Sequence, residues 1–93
     1  MIVGLMTVEL FIGEANTLKD KRRVLKSIID RIRSRFNVSI AEVDHQDLWQ
    51  RATLGVAVVS NETNHVHQMM DTVIRSIESN GGAELIQYST EIL

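Results

Sequence analysis

The residues best suited to acid–base chemistry lie in one short polar stretch near the middle of the chain. Four titratable side chains cluster there: Glu42, Asp44, His45 and Asp47. A carboxylate beside an imidazole is a common general acid–base arrangement in enzymes. The same polar residue types are also what a solvated hairpin end requires, and we favour that interpretation. Enzymatic activity is therefore our third-ranked hypothesis, and no residue is assigned a catalytic role.

Metal binding would have to use the histidines of the second half of the chain. His65 and His67 are two residues apart, so on a helix their side chains point about 200° apart and cannot share an ion. His67 and Asp71 are one turn apart, but two ligands are too few, and a surface hydrogen-bonded pair is the better interpretation. The chain has no cysteine, which excludes a thiolate zinc site and a cysteine nucleophile. We predict no metal and no cofactor.

A strongly basic segment suggests that the chain binds an anionic partner. Residues 19–35 carry eight basic and two acidic side chains, whereas the rest of the chain carries two basic and ten acidic ones, so the local net charges are +6 and −8. On a helix with a rise of 1.5 Å per residue, five of these cations form one outward stripe about 21 Å long. This basic stripe consists of Lys19, Arg22, Arg23, Lys26 and Arg33. It could neutralise phosphates of an RNA backbone without reading its sequence, or it could be only a solvated helix face.

A single tryptophan marks a second candidate surface. Trp49 precedes Gln50 and Arg51 at the entrance of a predicted strand. An indole beside a guanidinium can hold a partner by stacking and hydrogen bonding, although a lone tryptophan is more often a packed edge residue. The hairpin thus offers a candidate partner-binding set, composed of Glu42, Asp44, His45, Asp47, Trp49 and Arg51. A base-stacking sheet surface is not expected, because the third predicted strand carries no aromatic residue on its outer face.

The pattern of apolar and polar residues predicts six elements that position these candidates. They are a strand over 2–12, a helix from Leu18 to about Arg35 capped by Thr17, an antiparallel hairpin over 36–44 and 48–60, a helix capped by Asn61 and ended by residues 80–82, and a strand over 83–92. In the last strand Ile86, Tyr88 and Ile92 alternate with polar residues, so we expect these three on the side of the helices. Two right-handed crossovers joined by a hairpin predict the α+β ferredoxin-like split βαβ, with a four-stranded antiparallel sheet and two helices on one face. We expect residues 1–93 to form a single domain.

Three strings of residues resemble a known family over essentially the whole chain. They are Met-Ile-Val-Gly at residues 1–4, Leu-Lys-Asp-Lys-Arg-Arg at 18–23 and Phe-Asn-Val-Ser-Ile-Ala-Glu-Val-Asp-His-Gln-Asp-Leu-Trp-Gln-Arg-Ala at 36–52. Together they resemble the YlxP-like family of small uncharacterised bacterial proteins. The resemblance implies a ferredoxin-like fold, a cytoplasmic protein, and genes that often stand beside those of translation-initiation and ribosome-maturation factors. It implies no established activity and carries over no catalytic residue.

Two functional hypotheses follow. The leading one is an accessory protein that associates with ribosomal RNA or a ribosome-assembly particle through the basic stripe. The alternative is a non-catalytic protein-binding or small-ligand regulatory module that uses the hairpin from Glu42 to Arg51. A cytoplasmic location is expected because the chain lacks cysteine, and because residues 1–12 alternate like a strand and contain Glu9, unlike a signal sequence. No membrane span is predicted.

Self-association is expected from the composition of the sheet. Two helices can cover only one side of four strands, and the other side can present Val3, Leu5, Phe11, Ala57 and Val59. A two-fold homodimer through this helix-free face, or through a sheet edge, would bury that surface. The alternative is a face that stays hydrated, because polar residues such as Thr7, Glu9 and Thr53 also belong to it.

Overall fold

The computed structural model describes residues 1–93 and confirms the predicted order of elements. The elements are β1 (Ile2–Phe11), α1 (Leu18–Arg35), β2 (Ser39–Asp44), β3 (Arg51–Ser60), α2 (Thr63–Glu78) and β4 (Glu84–Ile92). The four strands form one antiparallel sheet in the order β2-β3-β1-β4, and both helices pack against the same face. This is the ferredoxin-like fold that the sequence predicts. No helix in it has the length and apolarity that crossing a membrane would require.

The core lies between the sheet and the two helices. The alternate residues Met6, Val8 and Leu10 of β1 are buried under the helices, as strand periodicity requires. One cluster of 18 buried apolar residues fills this layer. At Gly4, α2 lies so close to β1 that an added Cβ would collide with Cγ1 of Val66. The absence of a side chain at Gly4 therefore allows α2 to pack tightly on the central strand.

The two helices begin differently. Thr17 is extended, and its Oγ1 accepts a hydrogen bond from the backbone N–H of Asp20 at 3.1 Å, which confirms the predicted cap of α1. The predicted cap Asn61 of α2 is wrong, because the cap position is Glu62, which makes no side-chain capping bond. The reason is local: Oγ of Ser60 accepts from the N–H of Glu62 at 3.1 Å, and this turn delays the helix by one residue.

The last strand is shifted relative to its predicted alternation. Tyr88 pairs with Val8 and therefore lies on the helix side as expected. A bulge near Glu9 and Leu10 then changes the register, so Leu85 rather than Ile86 lies opposite Leu10. The prediction that Ile86 faces the core is therefore wrong, and its side chain is 47% exposed.

The helix-free face is apolar at one end and polar at the other. Val3 lies opposite Val59 and Leu5 opposite Ala57, which forms the apolar end. The polar end holds the pairs Glu9–Thr53 and Phe11–Arg51, next to the loop that joins β2 to β3. The face thus brings the hairpin loop and the C-terminal end of β1 together.

Candidate functional site

The basic stripe lies along the solvent side of α1, but its five cations are not equivalent. All five are exposed. Lys26 forms an ion pair with Asp30, with Nζ 2.6 Å from Oδ2, and Nη2 of Arg33 donates to the backbone oxygen of Ile40 at 2.9 Å. The remaining three, Lys19, Arg22 and Arg23, have no ion-pair partner in the chain. The first turns of α1 therefore present the cations that are free to meet an external anion.

An open groove runs between α1 and the edge strand β2. Its volume is about 360 Å³, and three stripe residues, Arg22, Lys26 and Arg33, line it. Leu25, Ile29, Asp30, Ala41 and Glu42 complete the lining. The apolar members are Leu25 and Ile29 of α1 and Ala41 of β2, so the groove offers a partly apolar floor between charged rims. Three cations against two carboxylates give it a positive balance.

Lys21 belongs to the basic segment, but its side chain is buried and does not face solvent as the cations of the basic stripe do. Its side chain is only 1% exposed, and Nζ contacts Oε2 of Glu42 at 2.8 Å. The same nitrogen donates to the backbone oxygens of His45 and Leu48, both at 2.6 Å. The ammonium thus makes two hydrogen bonds and one ion pair inside the protein. Lys21 therefore fastens the hairpin loop to α1 and takes no part in binding an external anion.

The sequence contains a signal for this role. Leu18, Lys21, Leu25 and Ile28 follow the spacing of three and four residues that defines one helix face. Lys21 thus occupies a position on the apolar side, where a lysine is tolerated only when paired. Its partner Glu42 is 19% exposed, so this member of the predicted partner-binding set is engaged within the chain.

The loop over residues 45–50 is held from a second direction by Gln50. The backbone oxygen of Gln50 accepts from the N–H of Ile12 at 2.8 Å, and its Nε2 donates to the backbone oxygens of Gly13 and Ala15 at 3.3 and 3.4 Å. The loop is thus tied both to α1 and to the segment after β1. These bonds also explain why β3 begins at Arg51 and not at Leu48 as predicted.

Two large apolar side chains project from this fastened loop. Leu48 is 44% exposed and Trp49 is 52% exposed. Together with Asp47, Gln50 and Arg51 they line a surface cavity of about 340 Å³. The structure therefore brings Asp47, Trp49 and Arg51 of the predicted set to one place.

His45 belongs to a separate network on the helix-free face. Its Nδ1 lies 2.8 Å from Oγ1 of Thr53, and this hydroxyl lies 3.0 Å from both carboxylate oxygens of Glu9. The single hydroxyl proton is donated to the carboxylate, so Nδ1 must carry a proton and donate to Oγ1. Neutral His45 is therefore the Nδ1–H tautomer, and the lone pair of Nε2 is free to accept a hydrogen bond.

The surroundings of Glu9 explain how His45 is held. Thr53 is buried, and Nη2 of Arg51 lies 3.7 Å from Oε2 of Glu9. The backbone of His45 has a φ of 61°, and Oδ1 of Asp44 accepts from its N–H at 2.8 Å. This left-handed conformation turns the chain at the end of β2. Glu9 and Thr53 were not candidates from sequence, because they are 44 residues apart and only the pairing of β1 with β3 joins them.

The other histidines form no comparable site. Nδ1 of His65 lies 3.0 Å from Oγ of Ser60 at the start of α2. The structure contains no group of three or more His, Asp or Glu side chains placed to hold a metal ion.

Comparisons with known proteins place the chain in a family. A family model described as a protein of unknown function (DUF503) matches residues 3–90. The uncharacterized protein YlxP of Bacillus subtilis (strain 168) is 40% identical over 78 residues, which cover 84% of this chain and 85% of YlxP. Among solved structures, the de novo designed ferredoxin-fold protein LFR1 1 is similar, with a TM-score of 0.59 and 14% identity over 99% of this chain and 85% of the design. The design Foldit4 has a TM-score of 0.58 and 12% identity over 100% of this chain and 97% of its own. These designs show the fold alone, whereas the family match and the relative show that the chain belongs to the YlxP-like family of proteins of unknown function (DUF503).

Proposed function

We propose that the protein acts in the bacterial cytoplasm as an accessory factor that binds ribosomal RNA, free or within a ribosomal particle, through the basic stripe of α1. One observation carries this proposal. Lys19, Arg22 and Arg23 are exposed and unpaired at the start of α1, and Arg22 also borders the positively charged groove beside β2. Clustered cations of this kind attract a phosphate backbone. The ribosomal choice is supported by the gene neighbourhood that the family resemblance implies.

The fold presents these cations in a fixed row. The opposite side of α1 contributes Leu25, Ile28 and Ile32 to the core, so the helix cannot turn its charged side away from solvent. Lys21 is neutralised by Glu42 and adds little to the outward field. We therefore expect binding to depend on three cations most strongly, and on Lys26 and Arg33 less, because each of these already has a partner within the chain.

Charge reversal tests the proposal with a matched control. The variant Arg22→Glu/Arg23→Glu and the control Arg35→Glu/Arg75→Glu change the net charge equally, but only the first alters the stripe. Arg35 and Arg75 are exposed, and Arg75 lies on the other helix. We expect the first variant to lose at least about tenfold in affinity for a structured ribosomal RNA fragment and the control to lose less than about threefold. Equal losses, or no loss in a folded stripe variant, would contradict the proposal.

The salt dependence of binding counts the cations that take part. By the relation for duplex DNA, the slope of log affinity against log salt is about −2.7 for three phosphate contacts and about −4.5 for five. We expect the shallower slope, near −2.7, because only three cations of the stripe have no partner within the chain. Replacing Lys26 and Arg33 by Gln should then leave the slope nearly unchanged, and a slope near zero in the wild type would exclude phosphate binding.

A second candidate function, protein recognition by the hairpin loop, is favoured by the exposed pair Leu48 and Trp49. Both side chains stand on a loop that Lys21 and Gln50 fasten to the rest of the protein, so little conformational entropy is lost when a partner binds. Large aromatic residues in such positions often dominate protein interfaces. Asp47 and Arg51 at the border of the cavity would then select a partner by charge.

Affinity purification from the source cell, with and without nuclease, separates the two candidates. Ribosomal proteins that are recovered only without nuclease would support the RNA proposal. One protein that is recovered despite nuclease, and is lost with Trp49→Ala, would support the second candidate. Trp49→Ala should leave RNA affinity within about twofold of the wild type, because the indole lies outside the basic stripe.

A further inference from the structure

The edge strand β4 is the least covered element of the protein. None of its nine residues is buried. From Gln87 to Ile92, however, β4 pairs with β1 without any shift in register. Four of the ten exposed large apolar side chains of the chain belong to β4 or follow it directly: Ile86, Tyr88, Ile92 and Leu93. A long exposed edge with apolar side chains is a template for pairing with another strand.

The hydrogen-bond pattern identifies which backbone groups are free. Val3 and Leu93 exchange both backbone bonds, at 3.3 and 2.8 Å, so they form a hydrogen-bonded pair of the β1–β4 ladder. In an antiparallel ladder, such pairs alternate with pairs that make no bonds to each other. The N–H and C=O groups of Tyr88, Thr90 and Ile92 therefore point away from β1, towards the open edge.

The opposite edge of the sheet is not available for the same kind of pairing. Strand β2 has only six residues and carries a register shift before Asp44. Arg33 already donates to the backbone oxygen of Ile40 on this strand. A head-to-tail contact between β4 of one copy and β2 of the next is therefore disfavoured. A second copy of β4 is the remaining edge partner, and that contact closes on itself about a two-fold axis.

We propose that two copies of the chain form a homodimer by antiparallel pairing of their β4 strands, with Thr90 at the two-fold axis. In this register Tyr88 lies opposite Ile92 of the second copy, so both exposed apolar side chains on the helix side are covered. Ser89 lies opposite Glu91, and no two carboxylates face each other. The paired stretch 87–93 avoids the bulge, and the two four-stranded sheets become one continuous sheet.

An alternative register centred on Tyr88 is less favourable. It would place the irregular Ile86 opposite Thr90 and would set the carboxylate of Glu84 against Ile92. The register centred on Thr90 pairs Tyr88 with Ile92 and Ser89 with Glu91, and only the end pair of Gln87 with Leu93 combines a polar with an apolar side chain. This choice makes the position of the axis testable.

The first experiment measures molar mass by light scattering over a range of micromolar concentrations. The wild type should be a dimer, Thr90→Pro should be a folded monomer, and Thr90→Val should remain a dimer. Proline removes the Thr90 N–H, which makes no bond to β1, so the single chain tolerates the change. Leu5→Lys probes the helix-free face and should leave the dimer intact. A monomeric wild type, a dimeric Thr90→Pro variant, or a monomeric Leu5→Lys variant would overturn the proposal.

The second experiment uses a single introduced cysteine, because the chain has none. Directly opposed residues of a hydrogen-bonded antiparallel pair have Cα atoms about 5.5 Å apart, which is within the range that a disulfide spans. Thr90→Cys should therefore cross-link two chains under mild oxidation. Val59→Cys, on the helix-free face and 58% exposed, should cross-link much more slowly. The reverse order would place the interface on the helix-free face and contradict pairing through β4.

Discussion

The two edges of the sheet are built in opposite ways. At the β2 edge, α1 lies alongside the strand, Arg33 bonds to the backbone of Ile40, and Lys21 holds the following loop with three contacts. At the β4 edge, no residue is buried, and only α2 packs against the strand. The β2 edge is thus held by side-chain contacts from α1, which the β4 edge lacks. The groove and the hairpin loop, which carry our functional proposals, lie at the β2 edge. The uncovered β4 edge is instead suited to pairing with a second strand.

Removal of the buried ammonium group of Lys21, at the β2 edge, should lower the free energy of unfolding more than any other substitution proposed for this comparison. Lys21→Met retains much of the side-chain volume but leaves Glu42 and two backbone oxygens without their donor. We expect a loss of about 3–5 kcal/mol in the free energy of unfolding, measured with urea. Lys19→Met, on the exposed side of the same helix turn, should change it by less than about 0.5 kcal/mol. A loss below about 1 kcal/mol in Lys21→Met would show that the contact is not a significant anchor.

The same substitution at the two edges gives the most direct comparison. Ile40 of β2 is 2% exposed, whereas Ile92 of β4 is 36% exposed. Ile40→Ala should lower the free energy of unfolding by about 3 kcal/mol, because it leaves a cavity in the core. Ile92→Ala, measured in the Thr90→Pro background to exclude dimerisation, should cost less than about 1 kcal/mol. Similar losses at both positions would contradict the difference between the edges.

A third prediction concerns the network at the end of the hairpin. Thr53→Val keeps the side-chain shape and removes the hydroxyl that links His45 to Glu9. We expect a loss of about 1–2 kcal/mol in the free energy of unfolding, because a carboxylate and an imidazole N–H lose their partner. Thr7→Val, an exposed position on the same face, is the matched control.

The tautomer of His45 provides a second measurement on the same variant. Nitrogen chemical shifts of the imidazole should report the Nδ1–H form in the wild-type protein at neutral charge. In Thr53→Val the populations should move towards Nε2–H, which is the form preferred in water. An Nε2–H signal in the wild type would contradict the hydrogen-bond assignment.

The smallest expected effect concerns Arg33. Arg33→Ala removes one partly exposed, charge-assisted bond to Ile40 and should cost about 0.5–1 kcal/mol in the free energy of unfolding. Arg35→Ala, an exposed position on the same helix that contacts no acidic side chain, should cost less. If the two variants are equally stable, Arg33 does not protect the β2 edge and its guanidinium is available to the groove.

Local sequence patterns predict some features of the fold, whereas features that depend on strand pairing cannot be predicted from them. The alternation of Met6, Val8 and Leu10 predicts which side of β1 is buried, and Thr17 with Asp20 predicts the start of α1, because each is a local pattern. Asn61 was a misleading cap, since the hydroxyl of Ser60 competes for the same region of backbone. Ile86 was misplaced because a bulge depends on the pairing with β1, which the residues of β4 do not encode by themselves.

The sequence alone determined the fold class, the charged side of α1 and the polar character of the hairpin. These properties follow from backbone periodicities of about 3.6 and 2 residues, which any chain must obey. The tertiary structure decided which cations remain free, that Glu9, Thr53 and His45 form one network, and that β4 is left bare. Each of these depends on contacts between residues far apart in the chain, where strand register and helix position select the partner. Lys21 shows the difference: its place on the apolar side of α1 follows from the helical spacing, but only the tertiary structure supplies Glu42 and the hairpin oxygens as its partners.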